Sequence, residues 1–377
     1  MQSWHIILTG VAAAFCLATQ AVAQTPEGGA ATPAIKNPEC RPNELFPAFE
    51  NFYSPRLAEL RNRYQLDDVV KNETDEWKRM LLLRHWIHAH IRIENEHPTP
   101  ARDDAIAILD AALKGGGFHC AHFSLVQSAV LNSYGYVARR MGCGPGTMER
   151  GGHHGVNEVW VNKFAKWVLI DAKYDLHFEK DGMPLSALEI RDEVWKDNAK
   201  SVKQYFGLDG KSPSQTFPDW EVSPETYRWC SWETSTNYFT AMPATHSSSL
   251  VMLDDEHFRN NTWYRDGKPH WAYKTPYLLA TTRRDWIEWT PNVIASNVRV
   301  TAQKAMVSLT SFTPNFRSYQ VKIGNVAWAD CDEQVELAVK PETYRVSFRS
   351  MNLFGVAGPE HQVQIGAPAA AAGAKIN

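Results

Sequence analysis

Cys120 follows Gly115-Gly116-Gly117-Phe118-His119 and opens the stretch CAHFSLVQSAVLNS. A thiol attacks as its thiolate, and a free cysteine with a pKa of ~8.5 is mostly protonated at neutral pH. Phe123, Val126, Gln127, Val130 and Leu131 recur on neighbouring turns, so a helix is expected from Cys120 to Ser133, with Tyr134-Gly135 as its stop. Unpaired N–H groups and the dipole at a helix start favour negative charge and so lower a thiol's pKa. The glycines ahead permit a tight turn and leave room for a substrate backbone. A cysteine alone is by default a buried inert thiol; nucleophilic chemistry also needs a base within reach and a third group that orients it.

The segments VNEVWV (156–161) and KWVLID (166–171) can supply both. They are rich in β-branched and aromatic residues, flank the short Asn162-Lys163-Phe164-Ala165 connection, and so read as a hairpin. Pairing around the 162–163 turn sets Glu158 opposite Trp167, Val156 opposite Leu169 and His154 opposite Asp171. Opposed residues have Cβ atoms ~5 Å apart on one face, where an imidazole and a carboxylate can hydrogen-bond and stabilise the imidazolium. Strand neighbours alternate, so only one of His153 and His154 can meet Asp171, and the Glu158-Val159-Trp160 that follows selects His154.

Cys120 at a helix start, Gly135 to Arg140 (GYVARR), His154 to Trp160 (HGVNEVW) and Lys166 to Asp171 (KWVLID) together resemble the core of the transglutaminase-like superfamily. The resemblance covers about residues 75 to 190. It implies a papain-like α+β fold and a Cys-His-Asp triad, with Cys120 as nucleophile, His154 as general base and acid, and Asp171 as orienter. Two departures lie near the site. Val156 stands where the family has an aromatic residue, and Ala172-Lys173 where it has Pro-Thr after the aspartate. Substrate choice therefore does not carry over.

A zinc site drawn from His119, His122 and His153 with Asp171 or Glu158 is chemically allowed. No C-x-x-C or H-E-x-x-H spacing supports one, so neither a metal nor another cofactor is expected. His119 and His122 read as helix-surface or supporting groups, and Glu158, Arg139 and Arg140 as solvated or paired charges.

These elements sit in a longer chain. Residues 74–94 place Trp77, Met80, Leu81, Trp86 and Ile87 at helical intervals, and a second helix from Asp103 to Lys114 carries acidic residues in its first turn. Between 190 and 290 the pattern loses regularity while tryptophans accumulate. From 293 the alternation is all-β, and TYRVSFRSMNLFGVAGP resembles a late strand of a fibronectin type III or immunoglobulin-like sandwich, with Tyr344, Val346, Phe348, Ser350, Asn352 and Gly355 at the pattern positions. The expected organisation is a signal peptide (1–23), an N-terminal extension (24–60), a catalytic core (61–190), a Trp-rich extension (191–290), a β-sandwich (291–367) and a disordered tail (368–377).

The apolar run from Ile6 to Ala18 ends in Ala21-Val22-Ala23, a cleavage pattern that points to a secreted or periplasmic protein. No later stretch has the roughly 18 apolar residues that span a bilayer. Formal net charge is −3 with both signs mixed, which argues against a nucleic-acid surface. Without Cys16 the chain keeps Cys40, Cys120, Cys143, Cys230 and Cys331, an odd number. Cys120 is the candidate free thiol, and the other four are available for up to two disulfides.

The expected activity is acyl transfer or hydrolysis at an amide bond of a peptide, glycopeptide or cell-surface polymer. Trp263 and Trp271, in the polar stretch NNTWYRDGKPHW, are the candidate substrate-stacking rings. Rival readings are a polysaccharide lyase or hydrolase using the same Cys/His pair, and a catalytically silent binding module.

Overall fold

The structure is a computed structural model that describes residues 35–146, 153–211, 217–241, 249–259, 264–265, 268–269 and 278–366. Residues 36 onwards form one compact unit. The signal segment, the C-terminal tail, Trp263 and Trp271 lie outside the described residues.

Five helices come first: α1 (Pro55–Arg63), α2 (Leu66–Val70), α3 (Glu76–His90), α4 (Ala105–Ala112) and α5 (Cys120–Ser133). Asp75 caps α3 by accepting from the Lys78 N–H, and Asp104 caps α4 by accepting from the Ala107 N–H, each at 3.1 Å. The expected 74–94 helix stops at His90 because Arg92–Ile93 leaves to pair in parallel with Gly117–Phe118. That short pairing delivers the chain to Cys120 and fixes where α5 begins.

A six-stranded sheet packs against these helices. Its first strands are β1 (Ala138–Gly144), β2 (His154–Val161) and β3 (Lys166–Ile170), followed by β4 (Leu176–Lys180) and β5 (Lys203–Phe206), which with the short strand Met183–Pro184 form a separate three-stranded sheet, with α6 (Ala187–Asp197) between β4 and β5. After α7 (Asp219–Val222) come β6 (Trp229–Glu233), β7 (Leu250–Leu253) and β8 (Leu278–Thr281), and the sheet order is β8-β7-β6-β1-β2-β3. The segment after 190 is thus not wholly irregular. Its strands are only four or five residues long, too short to show an alternation, and they complete the sheet of the core.

Alternation along β2 and β3 explains the layering. Val159, Val161, Val168 and Ile170 face the core shared with α1 to α5, while Val156, Trp160, Trp167 and Leu169 face a second core roofed by Leu188, Ile190 and Val194 of α6. α5 is buried from Phe123 to Ser133, and two of its polar side chains tie it to its surroundings: Ser124 Oγ donates to Val156 O (3.0 Å), and Gln127 Oε1 accepts from Ala172 N (3.1 Å). The second bond ties α5 to the turn that follows Asp171.

The hairpin register differs from the expectation. β2 and β3 pair Glu158 with Leu169, Val159 with Val168 and Trp160 with Trp167, a shift of two residues. The cause is a four-residue connection, 162–165, closed by Ala165 in the left-handed region (φ 49°) rather than a two-residue turn. An even shift keeps every side chain on its face, so His154 and Asp171 share a side but meet diagonally instead of directly opposed.

The C-terminal residues form two antiparallel sheets. One is β9 (Ile294–Val300), β10 (Lys304–Ser311) and β13 (Gln334–Ala338); the other orders β12 (Ala329–Cys331), β11 (Phe316–Ile323), β14 (Tyr344–Asn352) and β15 (His361–Ile365). Val307 and Leu309 from the first and Val346, Phe348 and Ile365 from the second share one apolar core.

Candidate active site

Cys120 is the first residue of α5, and His119 is the N-cap, its Nδ1 accepting from the Ala121 N–H at 3.3 Å. The helix start lies against β2 at Gly155, where an added Cβ would stand 3.4 Å from Ala121 Cα and 3.5 Å from Ala121 N. The Gly155 N–H donates to the Cys120 sulfur from this position.

His154 is fully buried, and its Nε2 lies 2.7 Å from Asp171 Oδ2. Asp171 Oδ1 accepts from the N–H groups of Lys173 (2.8 Å) and Tyr174 (3.3 Å), while its own backbone bridges to Leu176. Beneath this turn, α3 serves as a shelf. His88 Nδ1 meets Lys173 O at 2.9 Å, and the buried Arg84 holds Asp175 at 2.6 Å and His177 Nδ1 at 2.9 Å. Because Nε2 is engaged by Asp171, Nδ1 is the nitrogen left to face the Cys120 thiol, a contact that bears on the protonation of both groups without the geometry of an ordinary hydrogen bond.

The electrostatics follow from these contacts. Burial pushes the Cys120 thiol up, but hydrogen bonds from His119 and His154, the charge on His154 and the Gly155 N–H outweigh it and hold the thiol at about 5. Burial lowers His154, and the Asp171 carboxylate, by charge and hydrogen bond, then the Cys120 thiolate raise it to about 9. Between those values the pair exists as thiolate and imidazolium. His153 is pushed down by burial and packs on Trp229, with ring centroids 5.8 Å apart, away from Asp171.

A cleft of about 900 Å³ opens beside the helix start, lined by His119, Ala121, His122, Arg102, Arg140 and Tyr238 among others. Among the described residues no three His, Cys, Asp or Glu side chains gather into a metal-holding group, and Cys120, Cys143, Cys230 and Cys331 are not joined in disulfides. Cys143 and Cys230 are buried cross-strand neighbours on β1 and β6, both pushed up by burial.

His119, expected as a helix-surface or supporting group, is a supporting one: it caps the helix and bonds the thiol. One group at the site escaped the sequence reading. Glu221, on the four-residue α7, reaches to within 3.7 Å of His154 Nδ1 through Oε2. Nothing in the local sequence announces it.

Comparison with known proteins adds the following. None of the curated proteins matches the chain. A solved structure from Cytophaga hutchinsonii, described as that of a candidate cysteine protease, aligns at 14% identity and a TM-score of 0.26, covering 46% of this chain and 59% of that one. Residues 64–172, the segment that holds Cys120, His154 and Asp171, match the family model of the transglutaminase-like superfamily, and the chain thus carries a transglutaminase-like core over those residues.

Proposed function

We propose that this chain is an exported thiol enzyme that hydrolyses or transfers an acyl group at an amide bond, with Cys120 as nucleophile, His154 as base and acid, and Asp171 as orienter. The observation that carries this reading is the placement of Cys120 as the first residue of α5 beside a buried His154 whose Nε2 lies 2.7 Å from Asp171 Oδ2, surroundings that favour the thiolate. The Cys120 thiolate attacks the carbonyl carbon, and N–H groups including its own stabilise the oxyanion. The C–N bond breaks as the His154 proton passes to the leaving amine, which leaves a thioester. Water, or an amine in the transfer reaction, then gives a proton to His154 as its lone pair attacks, and the C–S bond breaks to restore the thiolate.

The substrate class is a peptide, glycopeptide or cell-surface polymer, its acyl side lying in the cleft beside His119 and Arg140. Export rests on the leader-like residues 1–23. A fibronectin III or immunoglobulin-like identity for residues 291–367 is supported by the three-plus-four strand arrangement around one core. The test is amine release from a panel of peptide and glycopeptide amides by the wild-type protein beside Cys120→Ala. Release that needs the thiol supports the reading; ultraviolet-absorbing unsaturated sugars in place of amines would transfer the site to lyase chemistry.

A further inference from the structure

We propose that Glu221 is a second carboxylate partner of His154, a positioning residue that holds the imidazole in its charged form at the edge facing Cys120. The inference rests on the thiol-enzyme reading above and extends it to a residue outside the family match. Glu221 Oε2 stands 3.7 Å from His154 Nδ1, too long for a hydrogen bond and short for charge–charge attraction in a dry site. The same oxygen accepts from Lys173 Nζ and from the Tyr174 hydroxyl, so the carboxylate is held in place from two sides. Its side chain is only 9% exposed and that of Lys173 1%. His154 Nδ1 has no hydrogen-bond partner of ordinary geometry, while Nε2 is taken by Asp171.

A buried Lys–Glu pair costs desolvation that a well-packed apolar pair does not. Here the carboxylate of that pair is the member that meets the imidazole. Lys173 occupies a position where the transglutaminase-like pattern has a different residue, so one departure from that pattern supplies the anchor for Glu221. The remaining groups around His154 are Asp171 after β3, Cys120 and His119 at the start of α5, the adjoining His153, the Tyr174 ring (centroids 5.5 Å apart), and Cys143 on β1, whose sulfur meets the His154 carbonyl at 3.5 Å. The chemical consequence appears after acylation. Once Cys120 is a thioester its negative charge is gone, and Asp171 and Glu221 are the anions left to stabilise His154 as it accepts the proton of the incoming water or amine.

The test needs no substrate. The ring nitrogens of His154 are titrated by NMR, and iodoacetamide alkylation of Cys120 is followed against pH, in the wild type, Glu221→Gln, Glu221→Asp and the double variant Glu221→Gln/Lys173→Met. The His154 midpoint is expected to fall by about one pH unit in both Glu221→Gln and the double variant, with Glu221→Asp in between. A wild-type midpoint in the double variant would mean that Glu221 merely neutralises Lys173, and would overturn the inference. So would an unshifted Glu221→Asp beside a shifted Glu221→Gln, the outcome that counts if the double variant does not fold. A wild-type thiol that alkylates only at the pH of an ordinary cysteine would instead defeat the thiol-enzyme reading itself.

Discussion

Two buried charge clusters hang from the same face of β2, four residues apart, and they are built to opposite ends. At Glu158 both carboxylate oxygens are engaged. Oε2 accepts from Arg139 Nε (3.0 Å), Arg139 Nη2 (2.6 Å) and Trp232 Nε1 (2.6 Å), and Oε1 accepts from the Ala187 N–H at the start of α6 (2.7 Å). The Arg139 guanidinium stacks 3.9 Å from the Trp167 ring centroid and donates to Ile287 O. At His154 one nitrogen is satisfied by Asp171 and the other is left facing a thiol and a carboxylate it does not bond in the ordinary way. A saturated buried pair joins β1, β2, β6 and α6; an unsaturated one holds a proton ready to move. Burial alone does not separate a structural ion pair from a reactive one; the unfilled donor or acceptor does.

This contrast is sharpened most by the variant with the largest expected effect. Asp171→Asn leaves the turn after β3 able to fold but removes the charge that holds His154 protonated, so turnover of any amide substrate is expected to drop by about 10⁴-fold. The melting temperature should change little, which separates the effect from unfolding. Next is Arg139→Met, which strands Glu158 and Trp232 without their cation. Chemical denaturation should show a stability loss of about 3–5 kcal/mol, with the pH dependence of Cys120 alkylation unmoved. An altered alkylation profile there would merge the two clusters into one and break the comparison. The smallest effect is expected at the proposed stacking rings. Trp263→Ala and Trp271→Ala should each weaken substrate binding by roughly 1 kcal/mol, read as a rise in KM at constant kcat, with stability unchanged.

Much of the frame around Cys120 was legible in the sequence for identifiable reasons. α5 has a clear start after the glycines and a clear stop at Tyr134-Gly135, the glycine having φ 80°. The approach of His154 to Asp171 could be read from strand parity, and it survives a two-residue error in register because only an odd slip changes the face. The error itself came from Ala165, whose left-handed conformation lengthens the connection although alanine carries no turn signal. Glu221 and Lys173 lay beyond reach. One sits on a helix of four residues and the other in a turn, and their meeting is a product of tertiary folding alone. Arg139 and Glu158 were legible only as charges to be solvated or paired; their meeting across β1 and β2 is tertiary, and its burial depends on Trp232 and α6, which arrive later in the chain.

The central claim is that Cys120 is a thiolate paired with imidazolium at neutral pH, and one experiment reads it without knowledge of the substrate. The rate of iodoacetamide alkylation of Cys120, located by mass spectrometry, is measured from pH 4 upwards on the intact protein, with His154→Ala alongside. The expected wild-type profile has its lower midpoint at about 5, and loss of His154 should move that midpoint up towards the ~8.5 of a free cysteine. A wild-type profile that rises only near ~8.5, or one that His154→Ala leaves in place, would contradict the account.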